Sequence, residues 1–181
     1  MKKESTKKIT RLAMLSALAV VLMLFVRFPL LPGAAHMEYS PADIPVMIAT
    51  FLYGPAYGLV VNLVVCIIQG FTVSVASGWI GMVMNFITTA AFCLPAGLIY
   101  YRKKTLRSAV AGLIVGSLSA VAAAVPCNLL FVPMFTGADT GMVMGMLLPI
   151  IIPFNAIKTV INSVVVFLIY KPISRFFHKT N

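Results

Sequence analysis

The sequence predicts an all-α, polytopic membrane protein of six transmembrane helices, the second of them short, with both termini on the cytoplasmic side. Three observations predict it. Apolar residues fill 61% of the 181 positions and charged residues 10%, with a mean hydropathy of +1.02, more apolar surface than a soluble domain of this length can hide. The basic residues fall in short runs between apolar segments, and most of those segments are long enough for the roughly 20 residues that a membrane helix requires. One membrane domain, residues 1–181, accounts for the whole chain.

Of the 14 Lys and Arg residues, five lie within residues 2–11, four within 102–107 and three within 171–179. The positive-inside rule makes all three clusters cytoplasmic. A formal net charge of +10 would also suit a nucleic-acid partner, but the basic residues lie in short runs flanking apolar segments, so the charge reports membrane orientation instead. Only Arg27 and Lys158 stand apart. Arg27 is expected near the outer end of the first span, where a long side chain reaches the interface.

The first span, residues 9–31, leads outward, so a cytoplasmic 102–107 cluster requires an odd number of further crossings. The apolar stretch 44–71 must therefore split. Gly54-Pro55 is the breaker, since proline removes a helix hydrogen bond and glycine permits a turn. The second helix is then 44–53, about 10 residues or roughly 15 Å, half of a bilayer core about 30 Å thick. It could begin earlier, near Pro41 or Asp43, and end where protein covers its backbone. The remaining spans are 58–71, 79–101, 108–131 and 146–170. A secretion signal would also place a basic region before an apolar run and small residues after it, here Gly33-Ala34-Ala35. This run exceeds the roughly 7 to 15 residues of a signal core, and its removal would spoil the charge parity.

Catalytic and metal chemistry are not indicated. Cys66, Cys93 and Cys127 lie within spans, are odd in number and lack ligand spacing, so they read as small apolar filler. His36 falls in a loop and His178 in the basic tail. Lys158-Thr159 lacks the glycine-rich loop that cradles phosphates, so the chain does not hydrolyse ATP itself. No Gly-x-Ser-x-Gly elbow or His-Glu-x-x-His pair occurs. The only acids are Glu4, Glu38, Asp43 and Asp139. Glu4 is expected inside and the other three outside, leaving no carboxylate at mid-membrane for a proton-coupled carrier.

Lys158 is the sole charge within residues 146–170. A lysine at a helix centre costs about 2.5 to 3.5 kcal/mol on insertion scales, so it must face a protein interior and be compensated. Asn155, Lys158 and Asn162 share one helix face, and Pro153 frees the carbonyl of Pro149. Alternating orientation puts Asn85 and Asn128 in the outer half as well, near Asn155. One reading is an outward-opening pocket in which amides and the ammonium bind a flat, uncharged heteroaromatic ligand. The other is interhelical glue, at about 0.6 kcal/mol per bond. Ligand binding is the better reading for Asn128, Asn155 and Lys158, and glue for Asn62, Gln69 and Asn162.

In these runs the chain resembles the substrate-binding S components of energy-coupling factor (ECF) vitamin transporters, specifically the riboflavin-binding branch. The likeness lies in Ser40-Pro41-Ala42-Asp43-Ile44-Pro45, Phe51-Leu52-Tyr53-Gly54-Pro55 and Pro153-Phe154-Asn155-Ala156-Ile157-Lys158. Asn85-Phe86 and Leu94-Pro95-Ala96-Gly97-Leu98-Ile99-Tyr100 add to it. The resemblance implies a six-helix fold with a short second helix. It also implies an outer cavity for the isoalloxazine ring at Asn128, Asn155 and Lys158, covered by a lid over residues 32–42 with contacts from Tyr39 and Ser40. It implies no cofactor, the vitamin being cargo. Ala13 and Ala17 form a small-x-x-x-small pair that permits close helix approach. In the family such a pair docks on a membrane-embedded coupling (T) protein that is joined to two cytoplasmic ATPases. Gly112-x-x-x-Gly116 reads instead as internal packing. The function expected is riboflavin capture from outside a bacterial cell membrane for ATP-driven uptake, with the phosphorylated form FMN as an alternative ligand. An S component for thiamine, pantothenate or a folate, or an autonomous solute facilitator, remains open.

Overall fold

The computed structural model describes residues 2–32, 37–74 and 78–179. The chain runs α1 (Lys2–Phe25), β1 (Phe28–Pro29), β2 (Glu38–Tyr39), α2 (Asp43–Tyr53), α3 (Pro55–Phe71), α4 (Gly78–Lys103), α5 (Leu106–Thr136), α6 (Thr140–Met146) and, after a π turn over Leu147–Ile151, α7 (Ile152–Lys179). The last two helices and the π turn are continuous, so the described residues form six helical rods. Four stretches, Ser5–Phe25, Gly78–Lys103, Leu106–Thr136 and Thr140–Tyr170, are long and apolar enough to cross a membrane, whereas α2 and α3 are shorter apolar helices. The protein is an all-α, multi-span membrane protein.

The first rod ends at Phe25, short of the expected residue 31. Proline disfavours helical backbone in the residue before it, and Phe28-Pro29 pairs instead as an extended strand with Glu38-Tyr39. The Phe28 and Tyr39 rings, opposite one another in this hairpin, lie 5.3 Å apart. Arg27 forms an ion pair with Glu38, which gives this isolated arginine its partner. Gly33 to His36 fall outside the described residues, so most of the expected lid tip does too.

The break at Gly54-Pro55 is where the sequence places it. Gly54 adopts φ 107°, a conformation that side chains resist, and Pro55 opens α3 at a position where its missing N–H costs nothing. Every residue of α2 from Asp43 to Phe51 is buried, so this helix is apolar all round because it stands at the centre of the bundle. Its 11 residues span roughly 16 Å. Asp43 therefore sits far below the end of the bundle.

One end of the bundle collects the basic clusters. Lys8 on α1 lies 3.4 Å from the Tyr57 ring centre, and Lys104 after α4 lies over Tyr101. Tyr100 and Tyr170 share a hydrogen bond of 2.5 Å between hydroxyls, with Phe51 packed against both rings. Those contacts bring the start of α1, the α2–α3 turn, the end of α4 and the latter part of α7 to the same face.

Gly112 and Gly116 bring the α4 and α5 backbones together. A Cβ at Gly112 would meet the Ala96 carbonyl at 2.7 Å, and one at Gly116 the Phe92 carbonyl at 2.5 Å. Backbone cannot yield as a side-chain tip can, so Gly116→Val is expected to cost about 1–3 kcal/mol of overpacking. A melting temperature equal to that of the wild type in detergent would contradict this packing.

Candidate functional site

The site begins with the helix defect. Pro153 has no N–H to give the Pro149 carbonyl, and the helix answers with a π turn in which Ile152 N–H donates to Leu147 O. Such single-turn bulges re-aim the residues that follow. One turn on, Asn155 and Thr159 are buried, and so is Asn162.

Lys158 is compensated by a carboxylate. Its Nζ lies 2.9 Å from Asp43 Oδ2. Thr89 Oγ1 donates to Asp43 Oδ1 at 2.9 Å, and Asn162 Nδ2 donates to Oδ2 at 3.2 Å. Asn162 Oδ1 in turn accepts from the Tyr39 hydroxyl at 2.8 Å. Tyr39 and Asn162 are 4% and 0% exposed, so this chain of contacts closes without solvent between its links. Burial, reinforced by the Asp43 charge, pushes the Tyr39 hydroxyl up to about 12, and it stays a donor at any physiological pH.

Asp43 corrects the sequence reading, which placed it outside. The hydrophobic run begins after Asp43, but its helix is short and buried from its first residue, so Asp43 is an interior residue. The premise that no carboxylate lies deep in the fold fails with it. A buried lysine with three outer acids to choose from, together with a half-length second helix, was the signal that could have found this pair.

The carboxamides divide into two groups. Asn128 Nδ2 donates to Ala124 O and Asn155 Nδ2 to Ile151 O, both at 2.8 Å along their own helices. Each keeps one N–H and its carbonyl oxygen for another partner. Neither oxygen is sealed: among the described residues, the only fully buried side-chain polar atom without a partner is the Tyr53 hydroxyl. Asn85 is placed otherwise. Its Nδ2 donates to Gln69 Oε1 at 2.6 Å and to Cys66 Sγ at 3.6 Å, while Asn62 donates to the Phe86 carbonyl. These amides hold α3 to α4, and the Asn85 Nδ2 group is engaged in that seam. Ser40 Oγ accepts the Ala42 N–H at 3.4 Å and shapes the turn into α2.

A groove of about 530 Å³ runs between α5 and α7, lined by Ser117, Ser163 and apolar side chains. It opens on the exposed Ile114, Leu118, Val160 and Leu168 and includes none of the predicted binding residues. Its walls suit lipid, so the chemistry lies elsewhere. Among the described residues, no three His, Cys, Asp or Glu side chains are placed to hold a metal ion.

A helical membrane bundle with a paired interior ammonium and half-free amides has the polar groups to hold a solute, as a transport protein does. The chain belongs to the family of ECF transporter substrate-specific components, whose model matches residues 7–170. It is 32% identical to the riboflavin transporter RibU of Staphylococcus aureus (strain TCH60), over 96% of this chain and 93% of that protein. Identity to the riboflavin transporter FmnP of Bacillus subtilis (strain 168) is also 32%, over 91% and 90% of the two chains. Among solved structures, the S component of a bacterial ECF transporter superposes with a TM-score of 0.81 at 31% identity, covering 96% of this chain and 98% of that one. The S component for biotin from an ECF-type ABC transporter gives a TM-score of 0.66 at 17% identity, over 94% of each chain, a likeness of fold alone.

Proposed function

We propose that this protein is the riboflavin-binding subunit of an ECF-type importer, capturing the vitamin outside the cell for uptake driven by partner subunits. The observation that supports this reading is that Asn128 and Asn155 each keep a carboxamide oxygen and one N–H unspent, with the Lys158 ammonium one turn beyond Asn155 on the same helix. The pyrimidine edge of a flavin alternates carbonyl, N–H and carbonyl, which an amide pair and an ammonium can meet group by group. Both riboflavin transporters named above, at 32% identity, support the choice of ligand. The biotin S component shares the frame at 17% identity, so the frame itself does not choose the vitamin.

In this reading the multi-pass protein lies in a bacterial cell membrane with both termini in the cytoplasm. The gathering of residues near the three basic clusters at one end of the bundle supports that orientation. The hairpin carrying Tyr39 and Ser40 then faces outward over the site. A coupling (T) protein and two ATPases supply the energy, with Ala13 and Ala17 on α1 as the docking pair. Delivery requires that the vitamin bind the docked and free states with different affinity, since equal affinity shifts nothing.

Purification from cells should yield a yellow protein whose absorbance and extracted ligand mass identify riboflavin, with FMN distinguished by the mass of its phosphate. Asn155→Ala and Asn128→Ala are each expected to weaken riboflavin about 10- to 100-fold, the loss of a buried hydrogen bond with its partner left unpaired. Unchanged dissociation constants for both would remove the assigned pocket.

A further inference from the structure

Tyr39 sits on the hairpin and Lys158 on the last helix, yet only two side chains separate them: Tyr39 to Asn162 at 2.8 Å, Asn162 to Asp43 at 3.2 Å and Asp43 to Lys158 at 2.9 Å. Asn162 is fully buried, and both ends of its carboxamide are engaged in this chain, so it cannot flip without losing both bonds. Asp43 Oδ2 receives the amide and the ammonium together, and Thr89 on α4 fixes the other oxygen. A lysine has three N–H donors, and Asp43 takes one. The ammonium is thus aimed without being used up.

We infer that Asp43 is the positioning residue for Lys158, and that the Tyr39–Asn162–Asp43 relay latches the hairpin to the orientation of that ammonium. This rests on the riboflavin reading for its ligand, though the latch itself is made of this chain's own side chains. Hairpin closure and ligand retention then share one set of bonds. A ligand accepting from Lys158 finds the lysine already oriented and the hairpin already fastened. Breaking any link loosens the hairpin, so the relay governs escape more than entry.

The experiment follows riboflavin binding to the intact chain in lipid nanodiscs by stopped-flow flavin fluorescence. Tyr39→Phe removes only the first donor and is expected to raise koff about three- to tenfold, the worth of one net hydrogen bond, with kon unchanged. Asp43→Asn is expected to raise koff at least as much. Because both act on one relay, the double variant should release riboflavin no faster than Asp43→Asn alone. Multiplying effects, or an unchanged koff for Tyr39→Phe, would overturn the relay; a residue that merely supports folding would not produce this non-additivity. If Asp43→Asn does not fold, Thr89→Val takes its place in the cycle, withdrawing one donor from the same carboxylate. A second readout needs no ligand: amide hydrogen exchange at Glu38 and Tyr39 should quicken in Asn162→Leu. If the wild type fails to bind riboflavin, the functional reading fails, and the exchange measurement still decides the latch. Unchanged exchange would refute it.

Discussion

Lys158→Met alone is expected to cost about 3–5 kcal/mol of stability, the penalty for stranding a buried charge by deleting its partner, and to abolish riboflavin binding. Asp43 is only 6% exposed, and its Thr89 and Asn162 bonds do not replace the lost cation. The informative comparison is the double variant Asp43→Asn/Lys158→Met. With both charges gone, the desolvation penalty disappears too, and the melting temperature in detergent should recover most of the way to the wild type. Binding should not recover, because the ammonium proposed to donate to the flavin carbonyl is still missing. Stability and function thereby separate. A double variant that binds riboflavin like the wild type would reduce Lys158 to a structural cation and remove it from the pocket. A single variant as stable as the wild type would show that the pair holds no buried charge.

The sequence alone requires that Lys158 be compensated, but it does not name Asp43 as the partner. The reason is geometric. Hydropathy marks where an apolar run starts along the chain but not how deep that start lies. For α1, α4, α5 and α7 the two coincide, and these elements were legible from apolar length and basic flanks, whereas α6 (Thr140–Met146) lies ahead of the last expected span. For α2 they do not. Gly54-Pro55 fixed its C-terminal end, and its 11 residues leave Asp43 in the interior beside Lys158. The half-length of the helix was visible in the sequence; its consequence for Asp43 needed the third dimension. The amides divide for a similar reason. Asn85 and Asn155 are alike as residues in spans, and only the fold puts Gln69 within 2.6 Å of the first while leaving the second bonded to its own helix. Tyr39 entered through the lid motif, but its bond to Asn162 joins positions 123 residues apart, which no local pattern encodes.

The second large effect is expected on α1, at a surface that touches nothing in the isolated chain. Leu15, Ala19 and Met23 repeat at helical spacing and are buried against the bundle. Ala13 and Ala17 lie on the opposite side and are exposed, flanked by Met14 at 61% and Leu18 at 46%. Lipid tails alone would be satisfied by any apolar residue there, whereas two alanines one turn apart let a partner helix approach closely. Ala13→Trp/Ala17→Trp should therefore leave melting temperature and riboflavin affinity unchanged in the purified protein, because no intramolecular contact is disturbed. In cells carrying the T protein and ATPases, uptake should fall at least about tenfold, since a clash of only 1.4 kcal/mol already lowers association by that factor. Leu118→Trp, on the exposed face of α5, serves as the control of equal bulk and should transport normally. Normal uptake with both tryptophans on α1 would move the docking surface elsewhere, and a matching loss from Leu118→Trp would attribute the effect to bulk in the membrane and not to that alanine pair.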